Sequence, residues 1–164
     1  MPEYLQDRTR HDASKLRVAV AVAMYHDEIV RALESAAREA FLEAGGSIDR
    51  LSLMRCAGAW ELPSALAAMQ QRLDPQPDAY VALGCVIKGD TSHDRWIIGA
   101  ACGELAGLST RSAVPVGMGL LTCDTIEQAR QRAGGSHGNK GREAMLASIL
   151  QANEMARLRW GPSE

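Results

Sequence analysis

Four apolar segments at near-equal spacing constrain this chain more than any other feature. They begin at Leu16, Ile48, Ala79 and Val114, at intervals of 32, 31 and 35 residues, the length of one strand-helix-strand unit. Leu16–Ala23 (LRVAVAVA) and Ala79–Ile87 (AYVALGCVI) are almost continuously apolar, the pattern of strands covered on both faces of a parallel sheet. Ile48–Cys56 alternates more loosely. Val114–Leu121 contains Pro115, Gly117 and Gly119, which weaken a central strand and place this one at the periphery.

Helices fill the intervals. From Asp27, apolar residues recur at three- and four-residue steps through Ile29, Val30, Leu33, Ala37, Ala40, Phe41 and Ala44, and Gly45-Gly46 supplies a stop. Pro63–Leu73 reads as a second helix with proline in its first turn, and Asp74–Asp78 (DPQPD) as a loop. The helix after the third strand is expected to bury Trp96, Ile97, Ala100, Ala101 and Leu105. Two helices close the chain, Thr125–Ala133 and a long one from Lys140 that buries Leu146, Ile149 and Leu150. Between them Gly134, Gly135, Gly138 and Gly141 predict a flexible kink around Ser136 and His137. The order is that of one α/β domain, a four-stranded, mostly parallel sheet with right-handed crossovers and helices on both faces.

The 164 residues carry 18 basic and 20 acidic side chains with no basic block, which argues against a nucleic-acid module. No apolar run approaches the ~20 residues needed to cross a bilayer, and the polar start has no signal-peptide core; a cytoplasmic location and no membrane partner are expected. The chain divides into a polar arm (1–15), one domain (16–160) and a short tail (161–164). Cys56, Cys85, Cys102 and Cys123 stand singly in apolar surroundings and read as reduced core thiols, with no metal-ligand spacing.

Ligands of open parallel sheets bind beyond the carboxyl ends of the strands. There the first strand delivers Tyr25 and His26, the second Gly58-Ala59-Trp60-Glu61, the third Gly84 through His93, and the fourth Met118 to Asp124. Tyr25 and Trp60 can stack on a flat heterocycle, and Glu61 suits a polyol. Equally, the aromatics can simply cover the sheet end while Glu61 favours a helix start. Gly89, Asp90 and Thr91 precede a helix and offer amides and a hydroxyl to a phosphate. His93, in the first turn, can carry protons near neutrality. His11, His26 and His137 are weaker candidates, and Lys15, Lys88 and Lys140 lie in polar segments unsuited to a Schiff-base lysine.

Three longer motifs stand in one order: Gly58-Ala59-Trp60-Glu61-Leu62-Pro63, Ala82-Leu83-Gly84-Cys85-Val86-Ile87-Lys88-Gly89-Asp90-Thr91-Ser92-His93, and Leu121-Thr122-Cys123-Asp124-Thr125 with Glu127-Gln128-Ala129. Arg132-Ala133-Gly134 and Gly138-Asn139-Lys140-Gly141 follow. On these residues, from about Leu16 to Arg159, the chain resembles the 6,7-dimethyl-8-ribityllumazine synthases of riboflavin biosynthesis. The resemblance implies a three-layer flavodoxin-like fold. It also implies condensation of 5-amino-6-(D-ribitylamino)uracil with 3,4-dihydroxy-2-butanone 4-phosphate, without metal or organic cofactor. By motif position it assigns Tyr25, Ala59, Trp60, Glu61, Cys85, Val86, Ile87 and Met118 to the uracil and its ribityl chain. Asp90, Thr91, Arg132 and Lys140 go to the phosphate, and His93 to proton transfer.

The resemblance further implies a homopentamer whose sites lie between adjacent subunits, with Met118 and Arg132 reaching in from the neighbour. Twelve pentamers form a hollow icosahedral shell in some members, and the short Gly134–Gly138 segment is compatible with that shell. Riboflavin synthase is a candidate partner. Four positions depart from the family pattern: Tyr25 for Phe or Trp, His26 for Asn, Asp94 for an apolar residue and Met118 for Phe. They motivate one alternative, a non-catalytic lumazine- or flavin-binding paralogue. A flavodoxin-type electron carrier would need its phosphate loop after the first strand, where Met24-Tyr25-His26 lacks small and hydroxyl residues.

Overall fold

The computed structural model describes residues 10–160, so residues 1–9 of the expected arm and the tail 161–164 lie outside the described residues. Four strands, β1 (Val18–Ala23), β2 (Leu51–Cys56), β3 (Ala79–Ile87) and β4 (Val116–Cys123), form one sheet in the order β2-β1-β3-β4. Every pairing in it is parallel. Helices α1 (Asp27–Glu43), α2 (Leu62–Arg72), α3 (His93–Ser112), α4 (Ile126–Arg132) and α5 (Lys140–Trp160) complete the α/β order. The chain has the three-layer, flavodoxin-like arrangement.

The sheet separates two cores. Val18, Val20 and Val22 of β1 face α1 and α5 with Leu33, Phe41, Met145 and Ile149. Ala19, Ala21 and Ala23 face the other way, against Leu62 and Leu66 of α2 and Leu105 of α3. All six β1 residues are buried, as a strand covered on both faces requires. Helix α1 buries Ile29, Val30, Leu33, Ala37, Ala40 and Phe41 of its expected stripe, with Ala44 half-buried just past its end, and it closes in a Schellman turn: Gly45 adopts φ +87, and the amides of Gly46 and Gly45 donate to the Phe41 and Leu42 carbonyls.

Several boundaries differ from the sequence reading. Ile48–Arg50 forms a 3-10 turn, so β2 begins at Leu51. Strand β4 starts later and runs to Cys123, at the sheet edge where its glycines and proline put it. Trp96 and Ala100 are exposed, and α3 buries Ala101, Leu105 and Leu108. At 100° per residue the expected set spanned too wide an arc, and Trp96 projects 140° away from Ala101.

The glycine kink is an ordered ribbon. Strands β5 (Ala133–Gly135) and β6 (Gly138–Asn139) pair antiparallel, with Gly134 and Gly138 at φ +121 and +76. The Asn139 side chain then accepts the amides of Gly141 and Arg142 and caps α5. Of the expected arm, Ala13 is buried and its amide donates to the Ala44 carbonyl, while Asn153 donates to the Asp12 carbonyl.

Candidate active site

Beyond the carboxyl ends of β1, β2 and β3 lies a cleft of about 880 Å³. It collects nine of the thirteen residues singled out above: Tyr25, Ala59, Trp60, Glu61, Cys85, Val86, Ile87, Thr91 and His93. Gly84 explains how the second strand end reaches the third. A Cβ there would stand 3.0 Å from Leu120 Cδ1 and 3.2 Å from Leu62 Cδ1, so a larger residue would press on the leucines where the start of α2 packs closely on β3.

The turn before α2 is held from within. Gly58 donates its amide to Glu61 Oε2 at 2.9 Å, the Glu61 amide returns to the Gly58 carbonyl at 3.2 Å, and Ser64 Oγ donates to the Glu61 carbonyl. This closes a 3-10 turn, Ala59–Glu61, with Ala59 buried beneath and Trp60 58% exposed at the cleft. Tyr25 also lines the cleft and is 68% exposed, its ring edge-on to that of His26 at 4.8 Å. Two unsatisfied aromatic faces over an apolar floor suit a planar heterocycle.

At the end of β3, Gly89 and Thr91 line the cleft immediately before α3. The His93 amide donates to Thr91 Oγ1 at 3.4 Å, and His93 opens the helix with its side chain exposed. The start of a 20-residue helix and a hydroxyl therefore stand beside an imidazole, which is suitable for holding an anion and moving a proton at its edge. Asp94, Trp96 and Ile97 also line the cleft. Trp96 was assigned to the helix core from sequence, yet it follows His93 by three residues, and that spacing puts both on one helix face.

Burial raises all four thiols. Burial raises Cys85 to about 12, with the nearby Cys123 adding to it, and burial raises Cys56 to about 11, with Glu61 contributing. Burial also raises Cys102 and Cys123, the latter partly offset by the positive charge of Arg132. None is a thiolate near neutrality. Among the described residues no group of three or more His, Cys, Asp or Glu converges as a metal site, and no helix is long and apolar enough to cross a membrane.

Four residues stand outside this cleft. Asp90 is exposed in the loop before α3. Lys140 forms an ion pair with Glu143 at 2.5 Å. Met118 is 57% exposed on edge strand β4, where its Sδ lies 3.7 Å from Cys102 Sγ. Arg132 ends α4, on the other side of β4, close enough to Cys123 to influence its thiol. A single copy thus has stacking, carboxylate and imidazole groups in one place, with Met118 and Arg132 at its other edge.

A family model for 6,7-dimethyl-8-ribityllumazine synthase matches residues 15–158. The chain belongs to the 6,7-dimethyl-8-ribityllumazine synthase family. A synthase of that name from Rhodopirellula baltica is 42% identical over 152 residues, covering 93% of this chain and 94% of the relative. One from Paenarthrobacter aurescens is 44% identical over 143 residues, covering 86% and 85%. One from Aquifex aeolicus is 36% identical over 147 residues, covering 90% and 94%. The lumazine synthase family catalyses the penultimate step of riboflavin biosynthesis, and this chain is a transferase of that family.

Proposed function

We propose that the cleft binds 5-amino-6-(D-ribitylamino)uracil between Tyr25 and Trp60 and joins it to 3,4-dihydroxy-2-butanone 4-phosphate, releasing phosphate and water. The observation that carries this reading is the convergence of Tyr25, Ala59–Glu61, Cys85–Ile87, Thr91 and His93 on one cleft at the strand ends. The backbone of Cys85, Val86 and Ile87 addresses the ring edge, and Glu61 accepts from ribityl hydroxyls. The substrate amine attacks the ketone and forms an imine, so the protein supplies no nucleophile, in keeping with the raised thiols. What remains is positioning, proton transfer by His93, and an anion cradle made by the backbone amides of Asp90 and Thr91, the Thr91 hydroxyl, Arg132 and Lys140.

Met118 and Arg132 enter the reaction from a neighbouring copy in this reading. The exposure of Met118 on edge strand β4 and of Arg132 at the end of α4 supports it, since a second chain packed there receives both while offering its own cleft. The assembly is a pentamer, with twelve pentamers as the larger form compatible with the short β5–β6 ribbon, and it works in the cytoplasm beside riboflavin synthase. Purified protein given both substrates is expected to form a fluorescent lumazine with release of inorganic phosphate. Binding of the uracil without product would overturn the catalytic reading in favour of a binding paralogue. Light scattering reporting a monomer under assay conditions would overturn the shared site.

A further inference from the structure

The motif Asp124-Thr125 with Glu127-Gln128-Ala129 contributes no residue to the cleft. Its geometry has a different use. Gln128 Oε1 accepts the Asp124 amide at 2.8 Å, and Thr125 Oγ1 accepts the Gln128 amide at 3.2 Å. These bonds satisfy amides at the start of α4 and fix the angle at which the helix leaves β4. At the other end of α4, Gln131 Oε1 accepts from the amide and hydroxyl of Ser136 at 2.9 and 2.7 Å, and the Gln131 carbonyl accepts the His137 amide at 3.0 Å. Gly135 leaves the room for this: a Cβ there would lie 2.7 Å from Gln131 Cα and Oε1.

Arg132 is the last residue of α4, directly after Gln131 and one turn after Gln128. The helix has seven residues, too few to hold its axis by backbone bonds alone. A forked guanidinium contact depends on direction as much as on charge. We propose that Gln128 and Gln131 are positioning residues for Arg132, two side-chain locks at either end of α4 that aim its guanidinium at the substrate phosphate. The inference rests on the phosphate-binding reading of Arg132 given above.

The test is steady-state kinetics of the full chain carrying Gln128→Ala or Gln131→Ala, each with and without Arg132→Ala. Each glutamine substitution is expected to raise KM for the ketone phosphate about fivefold, the size of one lost hydrogen bond, and to leave KM for the uracil within about twofold. In the Arg132→Ala background neither should add a further rise. An undiminished effect in that background, or a parallel rise in both KM values, would overturn the proposal. If Arg132→Ala leaves the ketone phosphate unaffected, the phosphate reading and this inference fall together. If Arg132→Ala weakens it and the glutamine effects simply add, only the inference falls. Should a glutamine variant melt early, Thr125→Ala and Ser136→Ala each remove part of one lock and are read by the same cycle.

Discussion

The Glu61 carboxylate and the Gly58 amide, 2.9 Å apart, close the turn that carries Trp60. One oxygen of Glu61 is therefore committed to its own backbone while the residue also lines the cleft. Its orientation is set before any ligand arrives, so an acceptor placed this way loses little freedom on binding a hydroxyl.

Glu61→Ala removes the turn closure and the acceptor together. The expected stability loss is about 1 kcal/mol, typical of a lost helix-start contact, read as a lower urea midpoint at unchanged slope. KM for the ribityl uracil should rise while that for the ketone phosphate stays put. Glu61→Gln keeps an oxygen for Gly58 and should recover the stability.

His93→Ala tests proton transfer. Its side chain is exposed at the cleft edge, so the fold should survive unchanged. The expected fall in kcat is about 10²-fold, the low end for a general acid or base, because imine formation proceeds in part without help. Both KM values should hold within about twofold, as the imidazole in this assignment acts in the transition state. A kcat equal to that of the parent protein at every pH would take His93 out of the reaction.

Gly84→Ala asks whether the start of α2 must lie so close to β3. The added methyl meets Leu120, Leu62 and the Ala23 Cβ at 3.0, 3.2 and 3.4 Å. A destabilisation of about 1–3 kcal/mol is expected from overpacking, with a larger one for Gly84→Val. Chemical denaturation gives the energy, and weaker uracil binding should accompany it as the Gly58–Glu61 turn is pushed outward.

Cys85 gives the stability a pH dependence with a definite sign. Its thiol rises from 9.0 to about 12 on folding through burial, so the unfolded chain gives up its proton first. The contribution is fully present below pH ~9 and is lost as the pH climbs toward 12, at about 1.4 kcal/mol per unit. Denaturation midpoints measured from pH 8 to 11 should fall more gently in Cys85→Ala than in the parent chain.

Much of the fold was legible because two physical periods were clean. The valine and alanine alternation of β1 and the Ile29–Phe41 stripe of α1 leave no second way to bury those residues. The residues lining the cleft were legible for a related reason, since the carboxyl ends of parallel strands converge wherever the strands are found. What was missed depends on contacts distant in sequence or on side-chain bonds. The ribbon at Ala133–Asn139 read as a flexible kink because its glycines signal freedom, whereas Gln131 holds Ser136 and His137 in place. Trp96 read as core because its apolar character hid the fact that α3 turns that face outward.

The dress of β1 is uneven, with methyl groups on the face toward α2 and isopropyl groups on the face toward α1. Small side chains leave room for α2 to pack close to the strand, and the turn ahead of it is carried on the same helix. Ala19, Ala21 and Ala23 therefore lie under the wall that carries the Gly58–Glu61 turn, buried where no ligand reaches. Enlarging any of them would act as a shim under α2, lifting one wall of the cleft while every residue that touches substrate stayed the same.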